Sequence, residues 1–193
     1  RFCTFADLEQ PSEVPRVMVT FDDGLRDVHD NAFPILAERG IPAVVFPVVG
    51  DIGLTGVVWH ENKDKSPQTL MTAAQIREMT DAGHEFGSHL WEHRKASRLP
   101  AAELREQLHR SRATLAGITG REVVSIAYPY GDYSPEVVAA TAEAGYRYAV
   151  TTTSGSNRDA PVLELRRFAV KGVRFYHPLR FIRTFRRALA EAA

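Results

Sequence analysis

Cys3 is the only cysteine in the chain, which excludes an internal disulfide framework and any metal site built from cysteine pairs. A bound metal would have to be held by histidine and carboxylate. No apolar run approaches the roughly 20 residues a bilayer-spanning helix needs, and Arg1 to Gln10 lack the apolar core of a secretory leader. The chain opens on Arg1 rather than methionine, as a trimmed form whose leader had been removed would. Net charge is missing too. The 24 Lys and Arg offset 24 Asp and Glu, so no obligatory nucleic-acid or anionic-membrane partner is expected. The basic run Lys171, Arg174, Arg180, Arg183, Arg186 and Arg187 lacks the aromatic interleaving of a nucleic-acid platform and reads as a solvated helix face. Repeats, low-complexity tracts and flexible linkers are also absent. The 193 residues, 44% hydrophobic and 25% charged, therefore read as one globular domain spanning 1–193.

What is present is an alternation of extended and helical patterns, which argues for an α/β fold. Val17 to Phe21 reads as a buried strand, followed by a helix from about Arg26 to Arg39 that stops at Gly40. Ala43 to Val49 is the next strand. Gly50 to Leu70 is long, polar and irregular, as functional loops are, and its Trp59 and His60 are candidates to face a cleft. A helix is expected from Thr72 to Ala82, closed by Gly83, with Glu85 to Gly87 extended behind it. Leu104, Leu108 and Leu115 fall at helical spacing and predict a helix from about Ala101 to Ala116. Val123 to Ala127 is a strand. Ser134 and Pro135 then cap a helix that ends at Gly145, and Tyr148 to Thr152 is a further strand. Leu163 to Val170 reads as extended and Pro178 to Ala193 as a last helix. Parallel strands with covering helices suggest a barrel or barrel-like sheet with its chemistry at the strands' C-terminal ends.

Three features fall at those ends. Thr20-Phe21-Asp22-Asp23-Gly24 sets two carboxylates where an apolar strand meets a turn, which is costly unless a cation or shared proton relieves their repulsion. The plainer reading is an aspartate capping a turn. His89 and His93, four apart, can bring both imidazoles to one face through a helical turn or a tight loop. With one carboxylate they would form a facial set that leaves positions open for water and substrate. Tyr128-Pro129-Tyr130-Gly131 is a rigid turn able to offer a backbone N–H to a developing oxyanion, or simply a turn. His89-Leu90-Trp91-Glu92-His93 also matches the H-x-x-E-H pattern of a metalloprotease family, with Glu92 as base. That pattern needs a continuous helix, whereas Gly87-Ser88 reads as a strand end. His84 is expected to satisfy a local hydrogen bond, and His60 and His177 sit in irregular segments as further candidates.

The three motifs together, with Gly83-His84-Glu85-Phe86-Gly87-Ser88 leading into the histidine pair and Ala127 before Tyr128, resemble the polysaccharide deacetylase family. This family is also called the NodB-homology domain or carbohydrate esterase family 4. The resemblance runs over about 17–170. It implies a distorted (β/α) barrel and a divalent metal, zinc foremost with cobalt, nickel or manganese as alternatives, held by Asp23, His89 and His93. It also implies hydrolysis of N-acetyl or O-acetyl groups on a polysaccharide or oligosaccharide by metal-activated water, with Asp22 as general base and Tyr130 supporting the oxyanion. A cell-envelope or extracytoplasmic setting goes with the resemblance. Two departures stand out. Many members carry arginine where this chain has Ala127, so what holds Asp22 is open. The family's C-terminal catalytic histidine has no clean counterpart, since Leu165-Arg166-Arg167-Phe168-Ala169-Val170 looks like the ending of a divergent branch, and His177 is the candidate acid. The alternatives are the H-x-x-E-H metalloprotease and a carbohydrate-binding domain without turnover.

Overall fold

The computed structural model describes residues 1–59, 61, 65–170, 186 and 190. In chain order the strands are β1 (Val19–Asp23), β2 (Ala43–Pro47), β3 (Thr55–Val57), β4 (Gln68–Thr69), β5 (Glu85–Phe86), β6 (Ser125–Ala127) and β7 (Tyr148–Val150). The α-helices are α1 (Phe33–Glu38), α2 (Ala73–Asp81), α3 (Ala101–Thr119) and α4 (Pro135–Glu143). β1 pairs in parallel with β2, and β2 with β5. A parallel bridge from Ser88 to Ile126 joins β5 to β6, β6 pairs in parallel with β7, and a further bridge links Val150 to Leu165. The result is the curved, mostly parallel arrangement expected of a distorted (β/α) barrel.

Alternation along the strands sorts the core into two sides. Val44 and Phe46 of β2 pack with Phe5, Val124, Ala127 and Val150 inside the curve, while Val45 joins Ile76, Met79, Leu108, Leu115 and Ile126 beneath the helices. Each valine, leucine, isoleucine, methionine or phenylalanine so removed from water contributes about 1.5–3 kcal/mol. The helix ends follow their residues. Thr72 Oγ1 accepts the Gln75 N–H at 3.3 Å while Gln75 Oε1 accepts the Thr72 N–H at 2.9 Å, a reciprocal cap that starts α2. Ser134 and Pro135 start α4 as expected. No helix of the described residues is long and apolar enough to cross a membrane.

Three local expectations are corrected. The helix expected over about 26–39 is helical from 26 to 38 but not regular, since a π-turn (Val28–Ala32) interrupts it before α1. Pro34 has no N–H to give the Asp30 carbonyl, and Phe33 instead bonds Val28 five residues back. α3 continues past Ala116, through Gly117, to Thr119 and ends where Gly120 takes the left-handed conformation at φ 66°. The segment 50–70 is not wholly irregular: β3 and β4 form a small antiparallel ladder within it, Thr55 opposite Thr69. The last predicted helix, 178–193, lies outside the described residues apart from 186 and 190.

Gly24 shows how tightly the end of β1 is built. It sits at φ 75°, and a Cβ there would lie 2.5 Å from Pro47 Cβ and 2.7 Å from Pro47 Cα. Backbone strain and overpacking against β2 each cost about 1–3 kcal/mol. Gly24→Ala is therefore expected to lower the melting temperature by about 5–10 °C for a domain of this size. A thermal melt unchanged from the parent would show that β1 and β2 part more easily than this contact implies.

Candidate active site

The residues singled out from the sequence converge at the C-terminal ends of β1, β5 and β6. Asp22 and Asp23 close β1. His89 follows the bridge residue Ser88, whose N–H donates to Ser125 O at 2.9 Å, and the His89 N–H donates to Pro47 O at 3.0 Å. The loop carrying His93 is stitched to the end of β2, where the Val49 and Gly50 N–H groups donate to Leu90 and Trp91 carbonyls at 3.0 and 2.9 Å. Among the described residues, the non-glycine residues with positive φ are Asp23 (70°), Leu90 (62°) and Tyr130 (62°). One stands in each of these three strand ends. Such conformations cost about 1–3 kcal/mol apiece and persist where the surroundings over-determine them, commonly at functional sites.

Asp23 Oδ1 lies 3.4 Å from Nε2 of His89 and 3.4 Å from Nε2 of His93, and the three donor atoms all fall within 4.8 Å of one another. Both histidines are buried. His89 Nδ1 is 2.7 Å from Ala127 O. A carbonyl only accepts, so Nδ1 carries a hydrogen and Nε2 is the nitrogen turned to Asp23, donating to its carboxylate when protonated and offering a lone pair to a metal once that proton is lost. One carboxylate oxygen and two imidazole nitrogens so arranged are a donor set that fits a divalent metal and leaves part of its coordination sphere open. His93 is pushed down to about 4 by burial and then by the neighbouring His89, so it is neutral at ordinary pH. Burial also opposes charge on His89, but the hydrogen bond to Asp23 and the charges of Asp22 and Asp23 outweigh it, and its pKa lies above the usual imidazole value.

Asp22 is gripped by Arg167. Nη1 donates to Oδ1 at 2.7 Å and Nη2 to Oδ2 at 2.8 Å, a two-pronged pair. Burial pushes the Asp22 carboxyl up, yet the Arg167 hydrogen bonds and the charges of His89 and Arg167 prevail and hold it below the ordinary carboxylate range. Arg167 is itself fixed, with Nε donating to Thr151 O at 2.9 Å and Nη1 to Thr20 Oγ1 at 3.3 Å. Tyr130 packs its ring 4.4 Å from that of His93, and its hydroxyl donates to His93 O at 3.4 Å. Burial first, then the charges of Glu61 and Asp23, push its phenol up to about 12, so it stays protonated. Trp59 packs on His93 as well, at 4.6 Å. His60 and His177 lie outside the described residues.

The H-x-x-E-H reading fails on geometry. Residues 91–93 form bends rather than a helix, and Glu92 is exposed and engaged by Arg94 at 3.3 Å and Gln107 at 3.3 Å. A base on that residue would not face the histidine nitrogens that meet at Asp23.

The sequence profile described as polysaccharide deacetylase matches residues 9–149. The chain belongs to the polysaccharide deacetylase family. Its likeness to other members is moderate: it is 29% identical over 163 residues to YxkH of Bacillus subtilis, covering 84% of this chain and 53% of that protein. It is 28% identical over 141 residues to the poly-beta-1,6-N-acetyl-D-glucosamine N-deacetylase of Staphylococcus aureus, covering 68% and 46%. The chain thus spans about half the length of these relatives. Among solved structures, IcaB from Ammonifex degensii superposes with a TM-score of 0.75 at 27% identity, covering 89% of this chain and 77% of that one. The family match stops before Arg167, and sequence reasoning assigned that residue no role. Its available signal was the loss of arginine at position 127, which left Asp22 needing a cation from elsewhere.

Proposed function

We propose that this polysaccharide deacetylase family member is a divalent-metal-dependent N-deacetylase of acetylated glycans, with Asp23, His89 and His93 holding the metal and Asp22 acting as general base. The observation that carries this reading is the meeting of Asp23 Oδ1 with both Nε2 atoms, beside an Asp22 carboxylate kept ionised by Arg167. A bound divalent ion supplies Lewis acidity, lowering the pKa of water and polarising the acyl carbonyl. Asp22 accepts the proton of the attacking water and can return it to the leaving nitrogen, so acetate and a free amine result. That return needs no second acid, though His177 stays a candidate for it. The Tyr130 N–H, at a turn held in the left-handed conformation, is assigned to the oxyanion. Arg167 keeps Asp22 charged and aimed. A polymer of N-acetylglucosamine, as in the name of the Staphylococcus aureus relative, is the first substrate to try, and such a polymer implies action at or outside the cell envelope.

Acetate release from acetylated gluco-oligosaccharides, measured before and after chelation, tests the reading. The expected result is turnover that chelator abolishes and zinc or cobalt restores. Turnover indifferent to chelator, or none from a metal-loaded chain across β-1,4- and β-1,6-linked substrates, would end it.

Protonation of the ligand pair gives a further expectation. His89, its pKa raised, keeps a proton to higher pH than a free imidazole, and an incoming metal must expel it. His93 is already neutral and releases none. Metal affinity should therefore rise with pH across the range where His89 gives up its proton, and loading below that range should release protons. Titration calorimetry in buffers of different ionisation heat checks this, and loading without proton release would contradict the His89–Asp23 pairing.

A further inference from the structure

The two histidines that meet at Asp23 are held in different ways. His89 has the usual tether of a ligand imidazole, its Nδ1–H on the Ala127 carbonyl at 2.7 Å. His93 has no such tether: its Nδ1 is buried and without a hydrogen-bond partner among the described residues. Two aromatic rings flank it instead. The indole of Trp59 lies 4.6 Å from the imidazole and the phenol ring of Tyr130 4.4 Å, each inclined at 46°.

Trp59 is anchored to serve as such a wall. Its Nε1–H donates to Asp51 Oδ2 at 2.7 Å, and its ring packs with Val48 and Leu70, against which Leu25 and Val57 also rest. The residue is 8% exposed. Asp51 ends a short turn (Val49–Asp51) directly after β2, so the indole is referenced to the same strand end that receives the His89 N–H.

We propose that Trp59 is a positioning residue, clamping His93 against Tyr130 so that the ring keeps its Nε2 directed at the point shared with Asp23 and His89. This rests on the metal-site reading above. The clamp takes the place of the polar tether that His93 lacks among the described residues, and it ties Trp59 and Asp51 to the affinity of the centre. Loss of such outer support costs about 10- to 100-fold in metal affinity.

The test is the affinity of the metal-free chain for cobalt(II), read in competition with a coloured chelator, together with the visible absorption of the bound cobalt. Trp59→Ala is expected to bind cobalt about 10- to 100-fold more weakly and with an altered visible spectrum. Trp59→Phe, which keeps an apolar ring packed there with no N–H to satisfy, should stay within about threefold of the parent, and Asp51→Ala, which leaves the buried indole N–H without its acceptor and so turns the ring away, should fall between them. Parent affinity and spectrum in Trp59→Ala would overturn the clamp, as would Trp59→Phe losing as much as Trp59→Ala. Should Trp59→Ala fail to fold, Asp51→Ala decides, and parent-like affinity in it overturns the clamp. A parent chain that binds no cobalt through His89 and His93 would instead sink the metal-site reading itself.

Discussion

Asp22→Asn should leave a folded, metal-binding protein whose acetate release has fallen by about 10²- to 10⁴-fold, the range a positioned general base supplies. The substitution keeps size and shape, and the amide oxygen can still accept from one arm of Arg167. What it removes is the charge and the ability to take a proton. Asp23, His89 and His93 are untouched, so metal content should match the parent. Paired measurements of turnover and of metal per chain distinguish this from simple damage. A variant retaining more than about a tenth of parental turnover would remove Asp22 as the base, and one that lost its metal would mean that Asp22 is a ligand.

Much of this site was readable from residue order because its members sit where strand patterns end. An apolar run stopped by Asp22-Asp23-Gly24 marks a strand terminus, and a barrel puts such termini at one mouth. The histidine pair was legible as a pair but not in conformation. Nothing in its spacing distinguishes a helical turn from a loop that reverses at a left-handed Leu90. Trp59 was noticed as a cleft candidate for its loop alone, and its stacking on His93 depends on the short ladder of β3 with β4. That ladder lay hidden because both strands are very short and a long polar stretch separates them. Arg167 was the least accessible. Arg166 and Arg167 are adjacent in an extended segment, and which one turns inward depends on register at the Val150–Leu165 bridge, where a slip of one residue exchanges them.

Arg167→Met should then carry two signatures. Burial is the largest influence on the Asp22 carboxyl and pushes its pKa up; Arg167 is the main opposing one. Without the guanidinium the carboxyl should rise toward or beyond the usual carboxylate value, so the acid limb of the kcat/KM profile moves to higher pH. The sign follows from the base being active only when ionised: the loss is greatest in acid and shrinks as pH increases. At neutral pH a remaining deficit of about 10- to 100-fold is expected from the lost aim of Asp22. Stability changes in the same sense. A lowered carboxyl pKa stabilises the folded chain above the unfolded pKa, and that contribution fades as pH falls through the folded one. Arg167→Met should therefore be less stable than the parent at neutral pH, by about 1–2 kcal/mol once the pair's partial solvent contact is discounted, and the difference should narrow in acid. Arg167→Lys, a single point charge without the planar fork, should recover the pH profile better than the rate. An acid limb unmoved in Arg167→Met would mean that another group sets it, and Asp22 would then have to be aimed by something other than this arginine.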